Sequence, residues 1–287
     1  DYDVIAESWE LSAHEAGQSL VASGPARGMP FGEYLTRIGR GRWGWKCQAQ
    51  ERFPLLIKLI DARKDLSIQV HPGDEYALAR ENEYGKNEMW YIMDCQPGAR
   101  LYCGFSQPVS KDEVAARVKD GTLTQVLNEV SVHKGQVVFI PAGMVHAIGA
   151  GILLCEVQQS SNVTYRLYDY GRKDRYGQLR QLHLDKALDV LDTTARPQIL
   201  EAQENEEGRA RLCACKYFSV ERQRVCGKTA LAGDDASFTA LMFLEGRGTV
   251  QAEDTTLSWK SADCFFVPAG RRPILLEGEG TLLVVRL

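Results

Sequence analysis

The stretch GQVVFIPAGMVHAI, residues 135–148, decides the predicted architecture because the chain repeats its pattern as SADCFFVPAGRRPI, residues 261–274. Each stretch places a Pro-Ala-Gly turn directly after an apolar run, starting at Pro141 in the first copy and at Pro268 in the second. Each also follows residues that read as a pair of strands, 88–103 and 238–253. Internal repetition outranks local propensity. The sequence therefore predicts two copies of one β-barrel unit.

Most of the remaining chain consists of short apolar runs bounded by turn residues, a pattern typical of sandwiches and barrels. We therefore predict a mainly all-β fold. Residues 109–128 are an exception, because their apolar positions follow helical spacing and Ser110 and Glu113 form a capping box. Residues 184–192 predict a second, shorter helix, whereas residues 68–93 read as strand, loop, strand.

The domain organisation follows from the repeat and from one polar segment. We predict a catalytic domain over residues 1–195, with its helical insertion near 109–128, and a second, metal-free β domain over residues 196–287. Residues 196–211 are polar and acidic, which favours a linker.

Composition excludes several classes of function. The chain has 287 residues, of which 44% are hydrophobic and 25% charged, and a formal net charge of -4. A nucleic-acid partner would require a basic face, and a membrane span requires about 20 consecutive apolar residues, which the sequence lacks. Eight cysteines without a CxxC pair predict free thiols in a reducing, cytoplasmic compartment. Since no initiator Met is present, we expect the native N-terminus to lie further upstream.

Four side chains predict a metal site in the first copy. Gln69 and His71 are two residues apart, so on a strand they project from the same face. Glu88 opens the next apolar run, and His146 follows the Pro-Ala-Gly turn. Two imidazoles, one carboxylate and an amide oxygen suit Zn²⁺, but two His and one carboxylate also form the facial triad of Fe²⁺ oxygenases. Gln69 is the weakest ligand, and its amide could instead bind a water or the substrate.

The second copy lacks this donor set. Pro273 stands where the first copy has His146, and the two residues before it are Arg271 and Arg272. Only the first barrel is therefore predicted to hold a metal in this way, while the second packs against it or, through its arginines, offers a further anion site. The other histidines lack such companions and are predicted to be structural or solvated: His14, His133 and His183.

Cationic residues accompany the predicted ligands. Lys58 lies within the apolar run LLIKLID, where a charge requires a reason, and Lys86 is two residues before Glu88. Ser67 shares the strand face of Gln69, and Arg166 follows in TYRLYDYGR, where it either stacks on a neighbouring tyrosine or faces a ligand. Ammonium and guanidinium groups bind phosphate through charge-assisted hydrogen bonds, so the set predicts an anionic substrate.

Several of these stretches together resemble one family. LSIQVHPGDEYA (66–77), GKNEMWYIM (85–93) and the segment from FIPAGMVHAI to TYRLYDYGR (139–172) are similar, in order and spacing, to type I mannose-6-phosphate isomerase in its short bacterial form. The resemblance covers residues 5–190. It implies tandem cupin, or jelly-roll, barrels, one Zn²⁺ per chain, and interconversion of mannose 6-phosphate and fructose 6-phosphate through a cis-enediol. A sugar phosphate is then the small-molecule partner, and the protein is a monomer or a homodimer.

The resemblance also implies roles for individual residues. The zinc ligands are Gln69, His71, Glu88 and His146, while Arg166 and Lys86 act in catalysis and bind substrate together with Lys58 and Ser67. The general base stays open among Lys86, a zinc-bound water and Asp169. The chain departs from the family by beginning after its usual Trp-Gly-Gly turn. Two alternatives remain: an Fe²⁺ cupin dioxygenase, and a sugar-phosphate-binding paralogue without catalysis.

Overall fold

The computed structural model describes residues 6–173 and 176–287. Strands dominate these residues, which confirms the predicted mainly β fold. In the described residues the strands are Glu7–Leu11 (β1), Leu55–Ala62 (β2), Ile68–Val70 (β3), Glu88–Cys95 (β4), Arg100–Phe105 (β5), Leu127–Ser131 (β6), Gln136–Ile140 (β7), His146–Ile148 (β8), Ile152–Gln159 (β9), Tyr165–Tyr168 (β10), Gln198–Glu201 (β11), Arg209–Ala214 (β12), Ser219–Leu231 (β13), Thr239–Ala252 (β14), Thr255–Lys260 (β15), Cys264–Val267 (β16) and Ile274–Arg286 (β17).

Helices are short and few. The α-helices of the described residues are Phe31–Ile38 (α1), Asp74–Glu81 (α2), Lys111–Asp120 (α3) and Leu184–Val190 (α4). In the described part of the chain, none is long and apolar enough to cross a membrane.

The predicted helical insertion is present but shorter than residues 109–128. Ser110 caps α3, because its hydroxyl accepts a hydrogen bond from the backbone N–H of Glu113 at 3.1 Å. The helix ends at Gly121, whose φ of 69° is left-handed and favours glycine. The buried face of α3 carries Val114 and Val118, which belong to the same apolar cluster as Leu167 of β10. Burial of this face fixes the insertion on the outside of the sheet that contains β10.

The prediction of a loop between the two strands of residues 68–93 is wrong in part, because residues 74–81 form the helix α2. Asp74 and Glu75 lie in the first turn of this helix, where negative charge interacts favourably with the helix dipole. Asn82 ends the helix in a left-handed conformation at φ 53°. The helix has a weak apolar periodicity, which explains why the strand-dominated pattern concealed it.

The chain divides into two compact units. One comprises the residues up to Ser8 together with Leu59–Leu200, and the other comprises Trp9–Lys58 together with Glu201–Leu287. The predicted division between residues 195 and 196 stays a prediction for the folding domains. The compact units differ from it chiefly in the placement of residues 9–58.

Two sheets lie mainly in the first unit. Their orders are β1-β2-β9-β4-β7-β11 and β10-β3-β8-β5-β6. Trp90 of the first sheet and Leu101 and Ile148 of the second belong to one buried cluster, so the sheets face each other across a shared core. Ile68 and Val70 instead join the cluster beneath α3, so the intervening Gln69 faces the opposite way, towards the other sheet.

The second unit has one sheet of order β12-β13-β17-β14-β15, with β16 paired to β14. The predicted strand pair 238–253 is a single strand, β14, whose register shifts between Phe243 and Glu245. As in the first copy, an apolar strand, here β16, ends directly before the Pro-Ala-Gly turn. This confirms the local repeat around the two turns.

Aromatic packing explains why residues 9–58 belong to the second unit. The Phe53 ring lies 4.9 Å from that of Phe238, and the Phe31 ring lies 5.3 Å from those of Phe53 and Phe266. Edge-to-face and tilted contacts of this kind add to the stabilisation from burial itself. The partners are separated by about 200 positions in the chain, so strand spacing could not predict this cluster.

Candidate metal centre

Strand register brings three predicted site residues into one row. Arg166 of β10 pairs directly with Gln69 of β3, and Gln69 pairs with His146 of β8. Direct antiparallel partners project from the same face of a sheet. Arg166, Gln69 and His146 are therefore neighbours on the face that looks into the first unit.

The opposing sheet contributes a matching set. Glu88 of β4 pairs with Gln158 of β9, and two residues further on Trp90 pairs with Glu156. The Trp90 Nε1–H donates to Glu156 Oε2 at 2.9 Å, which confirms that these side chains share a face. The Trp90 ring also contacts the His146 imidazole, with 5.5 Å between centroids. The two polar faces thus meet inside the unit.

Three predicted ligands converge at this meeting point. Glu88 Oε1 lies 3.2 Å from His146 Nε2, and Glu88 Oε2 lies 3.6 Å from His71 Nε2. The ligand atoms of His71, Glu88 and His146 all lie within 4.8 Å of one another. All three residues are at most 1% exposed. Among the described residues, this is the one group of His, Cys, Asp or Glu side chains that the structure brings close enough to hold an ion.

Both imidazoles are oriented as metal ligands would be. His71 Nδ1 and His146 Nδ1 each lie 2.9 Å from a backbone carbonyl oxygen, of Val163 and Met144 respectively. Because a carbonyl can only accept, Nδ1 carries the proton and the lone pair is on Nε2, the atom that faces Glu88. Burial lowers the pKa of His146 to about 4, aided by the charge of Lys86 and opposed by the hydrogen bond to Met144. The neutral form that a metal requires is therefore favoured.

Gln69 lies beside this group but presents its amide nitrogen. Its Nε2 is 3.4 Å from His146 Nε2, so the amide donates towards the imidazole lone pair. Exchange of the amide nitrogen and oxygen by a half-turn would direct Oε1 to the same point. The donor set of two imidazole nitrogens, one carboxylate and one amide oxygen then fits a divalent transition metal with positions left for other ligands.

Lys86 contacts two of the ligands. Its Nζ lies 3.0 Å from Glu88 Oε2 and 3.0 Å from His71 Nε2, and the residue is buried. Burial by itself lowers the pKa of Lys86, but the nearby carboxylates of Glu88 and Glu156 outweigh it and raise the pKa above its ordinary value. A general base would need the opposite shift, so in this state Lys86 is a cation and a proton donor.

Arg166 is held at the rim of the row. One guanidinium nitrogen, Nη1, donates to the carbonyl of Gln181 at 3.0 Å, while Nε is buried and has no hydrogen-bond partner in the described residues. Burial lowers the pKa of Arg166, with further lowering from the charges of Arg180 and Arg172. Arginine stays protonated despite such a shift, so Arg166 offers a positive charge that is only partly satisfied.

Asp169, one of the candidate bases, is occupied by ion pairs. Arg180 Nε donates to it at 2.6 Å and Arg172 Nε at 3.0 Å. Burial alone would raise the pKa of Asp169, but the hydrogen bonds from Arg180 and Arg172 outweigh it and lower the pKa below its usual value. A carboxylate in that state accepts a proton poorly, which argues against Asp169 as the general base.

Ser67 and Lys58, the other two residues predicted to bind substrate, do not belong to the cluster of ligands. Ser67 is buried in the position before β3. Lys58 belongs to the second unit, where its ammonium lies over the Trp9 ring at 4.9 Å from the centroid. The roles of both in substrate binding stay predictions.

The arginines of the second copy are already paired. Arg271 Nε lies 2.6 Å from Asp235 Oδ2, and Arg272 Nη1 lies 3.6 Å from Asp254 Oδ1. A cavity of about 680 Å³ within the second unit has Arg272 in its wall, next to apolar residues such as Phe266 and Ile274. None of the predicted metal ligands lines this cavity, so volume alone does not locate the site.

Two buried interior residues were missed from the sequence. Glu156 and Gln158 lie on β9 at the positions that face Trp90 and Glu88. The sequence does contain a pattern that could have identified them. In EVQ, as in QVH, two polar residues stand two positions apart within an apolar strand. It was overlooked because neither residue type is diagnostic by itself.

Comparison with known proteins gives consistent similarities. A family model described as "Phosphomannose isomerase type I, catalytic domain" matches residues 2–107, and one described as "Mannose-6-phosphate isomerase, cupin domain" matches residues 210–287. The mannose-6-phosphate isomerase ManA of Bacillus subtilis is 38% identical over 98% of this chain and 89% of its own length. A mannose-6-phosphate isomerase of Streptococcus mutans is 33% identical, over 97% of this chain and 88% of its own length.

Solved structures agree with these matches. The crystal structure of the mannose 6-phosphate isomerase from Bacillus subtilis has a TM-score of 0.90 and 35% identity, and the match covers 98% of this chain and 90% of that one. A putative mannosephosphate isomerase from Archaeoglobus fulgidus shares the fold, with a TM-score of 0.78 at 23% identity over 98% of this chain and 87% of that one.

Proposed function

Because this chain belongs to the type I mannose-6-phosphate isomerase family, we propose that it interconverts mannose 6-phosphate and fructose 6-phosphate at its buried His71, Glu88 and His146 cluster. The observation that carries this proposal is the convergence of two imidazoles and a carboxylate, all buried, beside a row that ends in Arg166. The enzyme is then an isomerase built from tandem cupin barrels.

Zinc is the metal that we propose for the site, one ion per chain. Gln69, His71, Glu88 and His146 would hold it, and the backbone carbonyls of Val163 and Met144 would keep both imidazoles in the required tautomer. When bound, a divalent ion supplies Lewis-acid polarisation of the substrate's carbonyl and hydroxyl oxygens. The protein has to supply the rest: binding, orientation and movement of the proton.

The reaction moves a proton between C2 and C1 of the sugar through a cis-enediol. Negative charge develops on an oxygen in the transition state, so preorganised cations in a dry site lower the barrier. Arg166 and Lys86 are such cations, since Arg166 Nε is buried without a partner in the described residues and Lys86 has a raised pKa. We assign both to the developing anion, and Ser67 and Lys58 to the phosphate.

Proton transfer requires a further group. Glu88 would be engaged with the metal, Asp169 is paired with two arginines, and Lys86 holds its proton. Glu156 is a further buried carboxylate on the interior face, held by Trp90 through one oxygen. We propose Glu156 as the group that carries the proton between the two carbons, and a water held by the metal is the alternative that this elimination leaves.

The state of the cysteines bears on the compartment in which the protein acts. All eight cysteines are free thiols, which supports a reducing, cytoplasmic compartment. We propose that the protein acts there as a monomer or a homodimer.

A coupled assay tests the function directly. Purified protein is given mannose 6-phosphate, and fructose 6-phosphate is measured with and without a chelator. We expect turnover to vanish in chelator and to return with one equivalent of Zn²⁺. Turnover that persists in chelator would contradict the metal, and absence of turnover with the metal restored would contradict the isomerase. Iron in the purified protein together with oxygen uptake would support a dioxygenase instead.

A further inference from the structure

Gln158 has a buried acceptor that no described group uses. Its side chain is 0% exposed, yet its Oε1 has no hydrogen-bond partner among the residues that the structure describes. Burial of a carbonyl oxygen without a hydrogen-bond partner is energetically unfavourable. Such an atom is therefore expected either to destabilise the fold or to await a donor.

The orientation of this amide is fixed by its other end. Gln158 Nε2 donates to the carbonyl oxygen of Gln159 at 2.7 Å and to that of Ser161 at 2.8 Å. Both acceptors are backbone carbonyls, so a reversed amide would place oxygen against oxygen. The position of Oε1 thus follows from the hydrogen-bond pattern.

Gln158 belongs to the interior face of the candidate metal centre. It pairs directly with Glu88 across β4 and β9, so both side chains project from the same face. Its neighbour on that face, Glu156, is bonded to Trp90, whose ring contacts His146. The unused oxygen therefore belongs to a side chain on the same interior face as the proposed ligand Glu88.

We propose that Gln158 Oε1 accepts a hydrogen bond from a hydroxyl group of the bound sugar phosphate and thereby positions the reacting end of the sugar. This inference rests on the proposed function. The phosphate group of the substrate cannot be this donor, because ionised phosphate oxygens accept hydrogen bonds and would repel an amide oxygen. A sugar offers hydroxyl donors along its carbon chain, so Gln158 discriminates for a polyol rather than for an anion.

The test uses Gln158→Met, which removes the acceptor and keeps the side chain long and apolar. The zinc-loaded protein is titrated with a hexitol 6-phosphate, a probe that has the hydroxyls and phosphate but cannot isomerise. Loss of one buried hydrogen bond predicts roughly 3- to 10-fold weaker binding, with kcat/KM reduced by a similar factor. Inorganic phosphate, which lacks sugar hydroxyls, is expected to bind both proteins equally.

Gln136→Met is the matched control. Gln136 is also buried, and its Oε1 also lacks a hydrogen-bond partner among the described residues. It lies on β7 four residues before Ile140, the partner of Glu88, which is about 13 Å along a strand. We expect hexitol phosphate binding within twofold of the unsubstituted protein.

Gln158→Glu separates the role of Oε1 as a hydrogen-bond acceptor from the structural role of the two hydrogen bonds that Nε2 donates. This variant keeps an oxygen acceptor but loses both donated bonds to Gln159 and Ser161. The proposal predicts that it binds the hexitol phosphate better than Gln158→Met does. If the two donated bonds alone mattered, the glutamate variant would bind no better than the methionine variant.

The outcomes separate this inference from the proposed function. If the unsubstituted zinc protein does not bind the hexitol phosphate, the proposed function fails. If it binds and Gln158→Met binds equally well, only the role of Gln158 fails. Weakened zinc binding in Gln158→Met would make Gln158 a support of the metal, and would overturn its assignment to the sugar.

Discussion

The backbone N–H of Gly143 donates to the carbonyl oxygen of His71 at 2.8 Å. The Pro-Ala-Gly turn of the repeat is therefore bonded to one proposed ligand and lies three residues before another, His146. The Gly143 carbonyl in turn accepts from the Asp192 N–H at 2.9 Å. In the first copy the repeated turn thus joins His71, the residue directly after β3, to β8, the strand that begins at His146.

Substitution of Gly143 by alanine should loosen this connection. Gly143 has φ +87°, which L-residues rarely adopt, and an added Cβ would lie 3.1 Å from the Val190 carbonyl oxygen. We expect Gly143→Ala to lose about 1–2 kcal/mol of unfolding free energy and to bind zinc more weakly. Urea denaturation of the metal-free protein and a zinc competition titration measure the two effects.

Gly98→Ala controls for backbone strain alone. Gly98 has φ +80°, but nothing lies within 4 Å of the Cβ that alanine would add. It should lose about 1 kcal/mol of unfolding free energy while zinc affinity stays unchanged. Equal zinc affinity in both alanine variants would show that the turn does not position the ligands.

Removal of one imidazole should abolish tight metal binding. His146→Gln deletes a nitrogen that lies 3.2 Å from Glu88 Oε1 inside the buried cluster. Loss of a group that only hydrogen-bonds to a metal ligand costs about 10- to 100-fold in metal affinity, so loss of a ligand itself should cost more than about 100-fold. The exposed His133 gives the matched variant, His133→Gln, which should keep one zinc per chain by metal analysis. Full zinc occupancy in His146→Gln would exclude His146 as a ligand.

Loss of the Arg166 charge should slow turnover without releasing the metal. Arg166→Ala removes the cation at the end of the row formed with Gln69 and His146. Deletion of one preorganised donor to a developing anion costs about 10²–10³-fold in kcat. Arg100→Ala, which removes an exposed arginine paired with Glu129, should leave kcat within twofold. Near-normal turnover by Arg166→Ala would remove Arg166 from the mechanism.

Acid should destabilise the metal-free protein through His146. Burial lowers its folded-state pKa to about 4, against 6.5 for the ordinary group. Between these values the unfolded chain binds a proton that the folded chain does not, so the unfolding free energy falls as pH falls. The full loss from this group is about 3 kcal/mol. Urea denaturation at several pH values from 7 to 4 gives the unfolding free energy as a function of pH. This free energy should fall less steeply in His146→Gln than in the unsubstituted protein, and equal slopes would contradict the lowered pKa of His146.

Local periodicity explains what could be predicted from the sequence. Gln69 and His71 both lie beside His146, as the alternation of side chains along a strand predicts, and Ser110 caps α3 because its side chain reaches the N–H of Glu113. The paired Pro-Ala-Gly turns revealed the repeat because each directly follows a strand. These are features that neighbouring residues determine.

Long-range contacts explain the rest. The row from Arg166 to His146 depends on the register of three strands that are far apart in the chain. The raised pKa of Lys86 reflects Glu88, two residues away, and also Glu156, 70 positions away, so the contribution of Glu156 could not be read from LysAsnGlu alone. The assignment of Phe31 and Phe53 to the second unit depends on Phe238 and Phe266.

The central claim is that one divalent ion is bound by side chains of the first unit alone. X-ray absorption of the zinc-loaded protein measures the ligand elements and their distances. We predict two imidazole nitrogens at about 2.0–2.1 Å and oxygen ligands at about 2.0–2.2 Å, with one zinc per chain. Cys103 pairs with His146 across β5 and β8, so its sulfur is the alternative ligand that this measurement would detect. A sulfur shell at about 2.3 Å, or a protein that retains no zinc, would contradict the account.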